Sequence, residues 1–122
     1  MSAGVYNMTI EQGATFLISF TWKDSTGAAI DLTDYVITSK LKRKLSDIIP
    51  VLEFTCEVLV AANGTFQISL TAAQTALLPT MPNTNANKDM LSLYYDILAT
   101  KNDDSSIIRI LEGIAYISPR VT

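Results

Sequence analysis

Apolar residues recur at every second position of this chain, in short runs divided by turn residues. That period constrains the backbone more than any other feature. Successive side chains of a strand point to opposite faces, so a period of two marks a strand with one buried face, whereas a helix repeats at about 3.6. Phe16, Ile18, Phe20 and Trp22 share one face of such a run, and Leu17, Ser19 and Thr21 share the other. Leu52, Phe54, Cys56 and Val58 alternate with Glu53, Thr55 and Glu57. Beyond Asn63-Gly64, a strong hairpin signal, Phe66, Ile68 and Leu70 continue the inward set. Ile37 and Leu41 oppose Lys40, Lys42 and Lys44, and Leu93, Tyr95 and Ile97 share a later face. Residues 8–12 and 107–118 read as the first and last strands, and Gly113 inside the latter predicts a bulge.

Turn chemistry separates these runs. Asp24-Ser25-Thr26-Gly27 and Asn102-Asp103-Asp104-Ser105 both combine side chains that cap their own backbone with residues tolerant of tight dihedrals. Ile30 to Tyr35 reads as a short extended piece ending in a corner. One short helix is predicted near 72–78, opened by Thr71 and Gln74 at capping-box spacing and closed by Pro79. Residues 81–89 have no periodicity and read as an exposed loop. About seven strands at regular spacing with one helical insert predict an all-β sandwich or barrel, in a single domain spanning 1–122.

With 122 residues the chain can bury about two-thirds of its unfolded surface, enough for a core without cross-links. Only 17% of its residues are charged, against about 25% in an average protein. A small domain so short of charge presents either an apolar surface that other subunits cover or a free hydroxyl-rich one. The net charge of −3 argues against nucleic acid as a partner. Nothing at residues 1–4 has the basic and apolar regions of a signal peptide, and no run of about 18 apolar residues would span a membrane. The expectation is a protein made in the cytoplasm that stays there or joins an assembly there.

The chain has no histidine, so Ser-His-Asp and Cys-His nucleophiles and histidine-bearing zinc sites are excluded. Cys56 is the single cysteine and falls between Phe54 and Val58 on an inward face, where an inert thiol is expected. Glu53 and Glu57 on one strand would stand roughly 13 Å apart, too far for either glycosidase mechanism. The two Asp-rich turns match no calcium-loop pattern, and no phosphate-binding glycine motif is present. No enzyme, cofactor, metal or small-molecule substrate is expected.

Lys40, Lys42, Arg43 and Lys44 hold four of the nine positive charges. They would either dock on an acidic neighbour or guard an exposed strand edge against pairing. Asn83, Asn85 and Asn87 in the long loop, and an N-terminal arm of residues 1–7, are the natural reaching elements. Phe16, Phe20 and Trp22 read as core, so a glycan-binding platform would need an exposed Tyr35, Tyr94 or Tyr116.

A resemblance runs through residues 10–16, 20–27 and 30–35, then Gly64 to Thr75, Tyr94-Tyr95-Asp96-Ile97, Leu111-Glu112-Gly113 and Ser118-Pro119. In this order these segments are similar to a group of small phage and prophage tail-associated proteins. The step from the Asp24–Gly27 turn to Asp31-Leu32-Thr33-Asp34-Tyr35 also resembles the N-terminal domain of phage baseplate upper proteins. The resemblance implies an immunoglobulin-like antiparallel β-sandwich that joins other tail or baseplate proteins, and copies of itself, in a virion. Asp34 stands where the family usually has glycine, which a left-handed backbone there would tolerate. With nothing beyond Thr122 to carry a receptor-binding tip, an adaptor or tail-accessory subunit is expected. A capsid decoration or neck subunit and a carbohydrate-binding module are the alternatives.

Overall fold

In a computed structural model the alternating runs form two packed sheets; it describes residues 4–44, 46, 48–79, 91–103 and 105–119. In chain order the strands are β1 (Gly4–Val5), β2 (Met8–Glu11), β3 (Phe16–Thr21), β4 (Tyr35–Lys42), β5 (Leu52–Glu53), β6 (Thr55–Val60), β7 (Thr65–Leu70), β8 (Leu91–Lys101) and β9 (Ile107–Ser118). The larger sheet has the order β1-β9-β8-β4-β5, with β2 also on β9, and the smaller is β3-β7-β6. With β3, β7 and β6 as the B, E and D strands and β4, β8 and β9 as C, F and G, this is an immunoglobulin-like sandwich. The cross-sheet disulfide of antibody domains is absent, since Cys56 is alone and lies on β6.

The inward faces supply the core. Phe66, Ile68 and Leu70 from one sheet meet Leu41, Leu93, Ile97, Ala115 and Ile117 from the other, all essentially inaccessible to solvent. Phe54 is buried where the chain leaves the β4 edge as β5 and crosses to the smaller sheet as β6. Its ring meets Phe16 at 5.9 Å and Tyr95 at 6.5 Å, tying the sheets together at the crossing. Trp22 packs edge-on against Tyr35 at 5.4 Å near the opposite end.

Helix α1 (Ala72–Ala76) starts as the capping box predicts: the Thr71 side chain accepts from the Gln74 N–H, and the Gln74 side chain accepts from the Thr71 N–H. Thr75 fastens it to the β2–β3 turn, donating to the Ala14 carbonyl at 2.8 Å and accepting from the Gly13 N–H at 3.0 Å.

Several local expectations are corrected. The irregularity in β9 lies at Ile110 rather than Gly113: Ile97 faces Leu111 but Leu98 faces Arg109. The extra residue turns the inward set from Ile108 and Ile110 to Leu111, Gly113, Ala115 and Ile117, so the whole twelve-residue strand can stay on one core. Gly113 has another reason. A Cβ there would lie 2.1 Å from the Tyr6 carbonyl oxygen, because the chain between β1 and β2 crosses directly over it.

That crossing also revises the reaching arm. Gly4–Val5 and Met8–Glu11 pair parallel with β9, so the sandwich is antiparallel except along this edge. Tyr6 donates to the Glu112 carbonyl at 3.0 Å, Asn7 accepts from the Ile114 N–H at 3.0 Å, and the Tyr95 hydroxyl donates to the Tyr6 carbonyl. The described part of the arm, residues 4–7, is therefore docked on its own domain. A parallel pair needs a long connection, and almost the whole chain lies between β2 and β9.

Asn63-Gly64 does join a hairpin, β6 to β7, but through a 3₁₀ turn at Ala61–Asn63 closed by Gly64 at φ 70° instead of a two-residue turn. A register shift between Val58 and Val60 lets the end of β6 swing away, so Val58 is exposed rather than inward. Tyr35 N–H closes a turn on the Leu32 carbonyl at 3.0 Å. Asp34 is not in a left-handed conformation there; among described non-glycine residues Ser105 has the positive φ.

Candidate docking surfaces

Lys40 and Lys42 stand on the outward row of β4, and Arg43 and Lys44 follow directly after its end. The edge beside them is already paired: Lys40 lies opposite Glu53 and Leu41 opposite Leu52. Val51 and Phe54 also donate to the Leu41 and Ser39 carbonyls at 2.7 and 2.9 Å. This short pairing covers the β4 edge at Lys40 and Leu41, and both the guard and the docking readings of the cations stand beside it. Lys40 meets Glu53 at 3.6 Å with both side chains largely in solvent, a contact contributing at most about 1 kcal/mol. Arg43 and Lys44 run on into the β4–β5 loop. Asn83, Asn85 and Asn87 lie outside the described residues.

The loop itself carries the feature that sequence reasoning missed. Ile48 and Ile49 are 93% and 82% exposed, far beyond the other large apolar residues apart from Leu77 and Val5. Two adjacent β-branched residues without a core are an unfavourable free surface. The signal was an Ile-Ile pair between turn residues, directly before Pro50. The β2–β3 turn and α1 lie at the same end of the sandwich, joined through Thr75. Exposed Leu77 follows α1 there.

The opposite end has the other charge. Asn102 N–H donates to the Asp34 carbonyl at 2.8 Å and Leu32 N–H to the Ala61 carbonyl at 2.9 Å, gathering the β3–β4, β6–β7 and β8–β9 connections. Asp24, Asp31, Asp34 and Asp103 are exposed on these connections, against Lys23 and Lys101. Asp24 accepts from the Thr26 N–H, Thr26 hydroxyl and Ala28 N–H at 2.9, 2.6 and 3.0 Å. Those donors, the Thr26 hydroxyl first, hold its carboxyl below the usual range, as the Thr33 hydroxyl and N–H do for Asp31. Turn closure thus accounts for both side chains, and no group of three metal-ligating residues occurs among the described residues. Exposed Val36 and Ile107 lie on one row beside them, each opposite Thr100.

Between the sheets, at the free edge of β3, a crevice of about 290 Å³ is floored by Phe20, Trp22, Phe66 and Ile110 and rimmed by Lys23 and Arg109. Arg109 is held by Asp96 at 3.5 Å and Glu112 at 3.3 Å. Its polar side chains are Thr21, Lys23 and Arg109. Cys56 is half-buried, and desolvation pushes its thiol up to about 11. Glu57 accepts from Gln67 Nε2 at 3.1 Å while Glu53 turns to Lys40, so the two carboxylates serve different partners. Of the three tyrosines that would suit a glycan platform, Tyr94 is exposed, Tyr35 packs on Trp22, and Tyr116 is half-buried.

No helix among the described residues is long and apolar enough to cross a membrane. No family model matches the chain, and no curated protein matches it. Among solved structures it is similar to the NK cell receptor NKp44, described as a triggering partner in natural cytotoxicity. The TM-score is 0.43 at 10% identity, over 98% of this chain and 100% of that one.

Proposed function

We propose that this chain is a non-enzymatic structural subunit of a phage virion, an adaptor at the tail, baseplate or fibre attachment that works by docking to other proteins. The observation that carries docking is the exposed Ile48-Ile49 pair beside Lys42, Arg43 and Lys44: an apolar tip with a cationic collar fits an apolar socket rimmed by carboxylates. The phage assignment is supported by the ordered motif segments from Ile10 to Pro119. A capsid decoration or neck role would use the same surface. Exposed Tyr94 favours a carbohydrate-binding alternative, with the weakness that a single ring makes a poor platform.

Co-sedimentation of the purified chain with virion proteins encoded by neighbouring genes separates these readings. Retention by tail or baseplate proteins is the expected result, and retention by capsid proteins moves the subunit to the head or neck. A chain that ignores both and binds glycans on an array refutes the structural role.

A further inference from the structure

The two ends of the sandwich are complementary in charge, and both expose aliphatic side chains. Among the described residues, one end carries Lys42 and Arg43 against Glu11, with Ile48, Ile49 and Leu77. The other carries four exposed aspartates against two lysines, with Val36 and Ile107 nearby. We infer that copies of this chain associate head to tail, the Ile48-Ile49 loop and its cations on one copy docking on the end that bears Asp34, Asp103, Val36 and Ile107 on the next. The inference rests on the docking reading above and names its partner.

Charge complementarity selects this occupant. The crevice beside β3 offers an apolar floor, but its rim is Lys23 and Arg109, which would repel a cationic loop. A two-fold pairing of loop with loop would set Lys42 and Arg43 against themselves. Among the described residues the aspartate-bearing end offers both opposite charge and exposed aliphatic surface. Such a contact uses a different patch on each partner, so it builds chains or closed rings rather than a lone symmetric dimer. Two sheets about 10 Å apart with about 5 Å of side chain outside each, and about five strands spaced about 4.8 Å, give an end of about 20 Å by 24 Å, or roughly 500 Å². The resulting total of about 1,000 Å² lies at the lower limit of specific interfaces, which predicts reversible, salt-sensitive association.

Two variants test it, each altering exposed residues of one end: Ile48→Asp with Ile49→Asp, and Asp34→Lys with Asp103→Lys. Sedimentation velocity should show concentration-dependent oligomers for the wild type, weakened by added salt, and at least tenfold weaker association for either variant alone. Mixed together, the two variants should form a 1:1 dimer and nothing larger, because each retains the end that the other lacks. Thermal unfolding confirms that both are folded. A wild type that stays monomeric up to about 1 mM overturns the inference. So does a mixture without dimer. Binding to phosphatidylserine vesicles, abolished by the isoleucine changes in a monomeric wild type, would instead make a lipid surface the occupant. A monomer that still co-sediments with tail proteins refutes only the head-to-tail contact and leaves the adaptor role standing.

Discussion

Replacing Gly113 by alanine should destabilise this domain strongly. The added Cβ would sit 2.1 Å from the Tyr6 carbonyl oxygen, 2.8 Å from its carbon and 3.0 Å from Asn7 Oδ1. Two of these are backbone atoms that no rotamer change can move, so the β1–β2 crossing must lift. Overpacking alone costs about 1–3 kcal/mol. Lifting the crossing also weakens three hydrogen bonds, to Glu112, from Tyr95 and from Ile114, at about 1 kcal/mol each. Against this, alanine restricts the unfolded chain and returns about 0.5 kcal/mol. A net loss of about 4.5 kcal/mol follows, or a fall in Tm of roughly 18 °C for a domain of this size. Thermal and urea unfolding would measure it, and amide exchange should accelerate selectively at Tyr6 and Ile114. Tyr95→Phe supplies the control. Alone it leaves the Tyr6 carbonyl without its donor, but beside Gly113→Ala the partner has already moved, so the two losses should sum to less than additive. A Gly113→Ala protein within 0.5 kcal/mol of wild type, or strict additivity, would refute the crossing.

Thr75→Val keeps shape but removes the hydroxyl that joins α1 to Ala14 and Gly13; it should destabilise by about 2 kcal/mol in urea unfolding. Burial raises Cys56 to about 11 and Tyr95 to about 12, above their ordinary values of 9.0 and 10.0. Groups with raised folded values stabilise fully below the unfolded value and lose that contribution as pH rises through the folded one. Stability should therefore be flat to about pH 9 and decline through pH 12, and Cys56→Ser should reduce the first part of that decline, followed by fluorescence at stepped pH. Cys56 should also resist alkylation at pH 8, with mass spectrometry as the readout.

The sandwich was legible because its strands carry one buried face each. Phe16 to Trp22 and Leu93 to Ile97 need only period two to be placed, and the Thr71–Gln74 cap needs only local chemistry. What escaped depends on partners distant in sequence. Gly113 is required by Tyr6, more than a hundred residues earlier, and the bulge at Ile110 is visible only against Ile97 and Leu98. Val58 kept the alternation of β6 but lost its face when the hairpin bent. At the candidate site the alternation places Lys40 and Lys42 on the outer row of β4, whereas Arg43 and Lys44 lie past its end and no periodicity marks the isoleucines beside them. An apolar pair between turn residues is equally compatible with a strand end, and only its burial decides.

The central claim is that the Ile48-Ile49 end docks to protein. Its most direct measurement is quantitative co-sedimentation with the tail and baseplate proteins that the proposed adaptor role names as partners, comparing wild type with Ile48→Asp/Ile49→Asp. At least a tenfold loss of retention, with unchanged thermal unfolding, is predicted. Equal retention of the two proteins would contradict it.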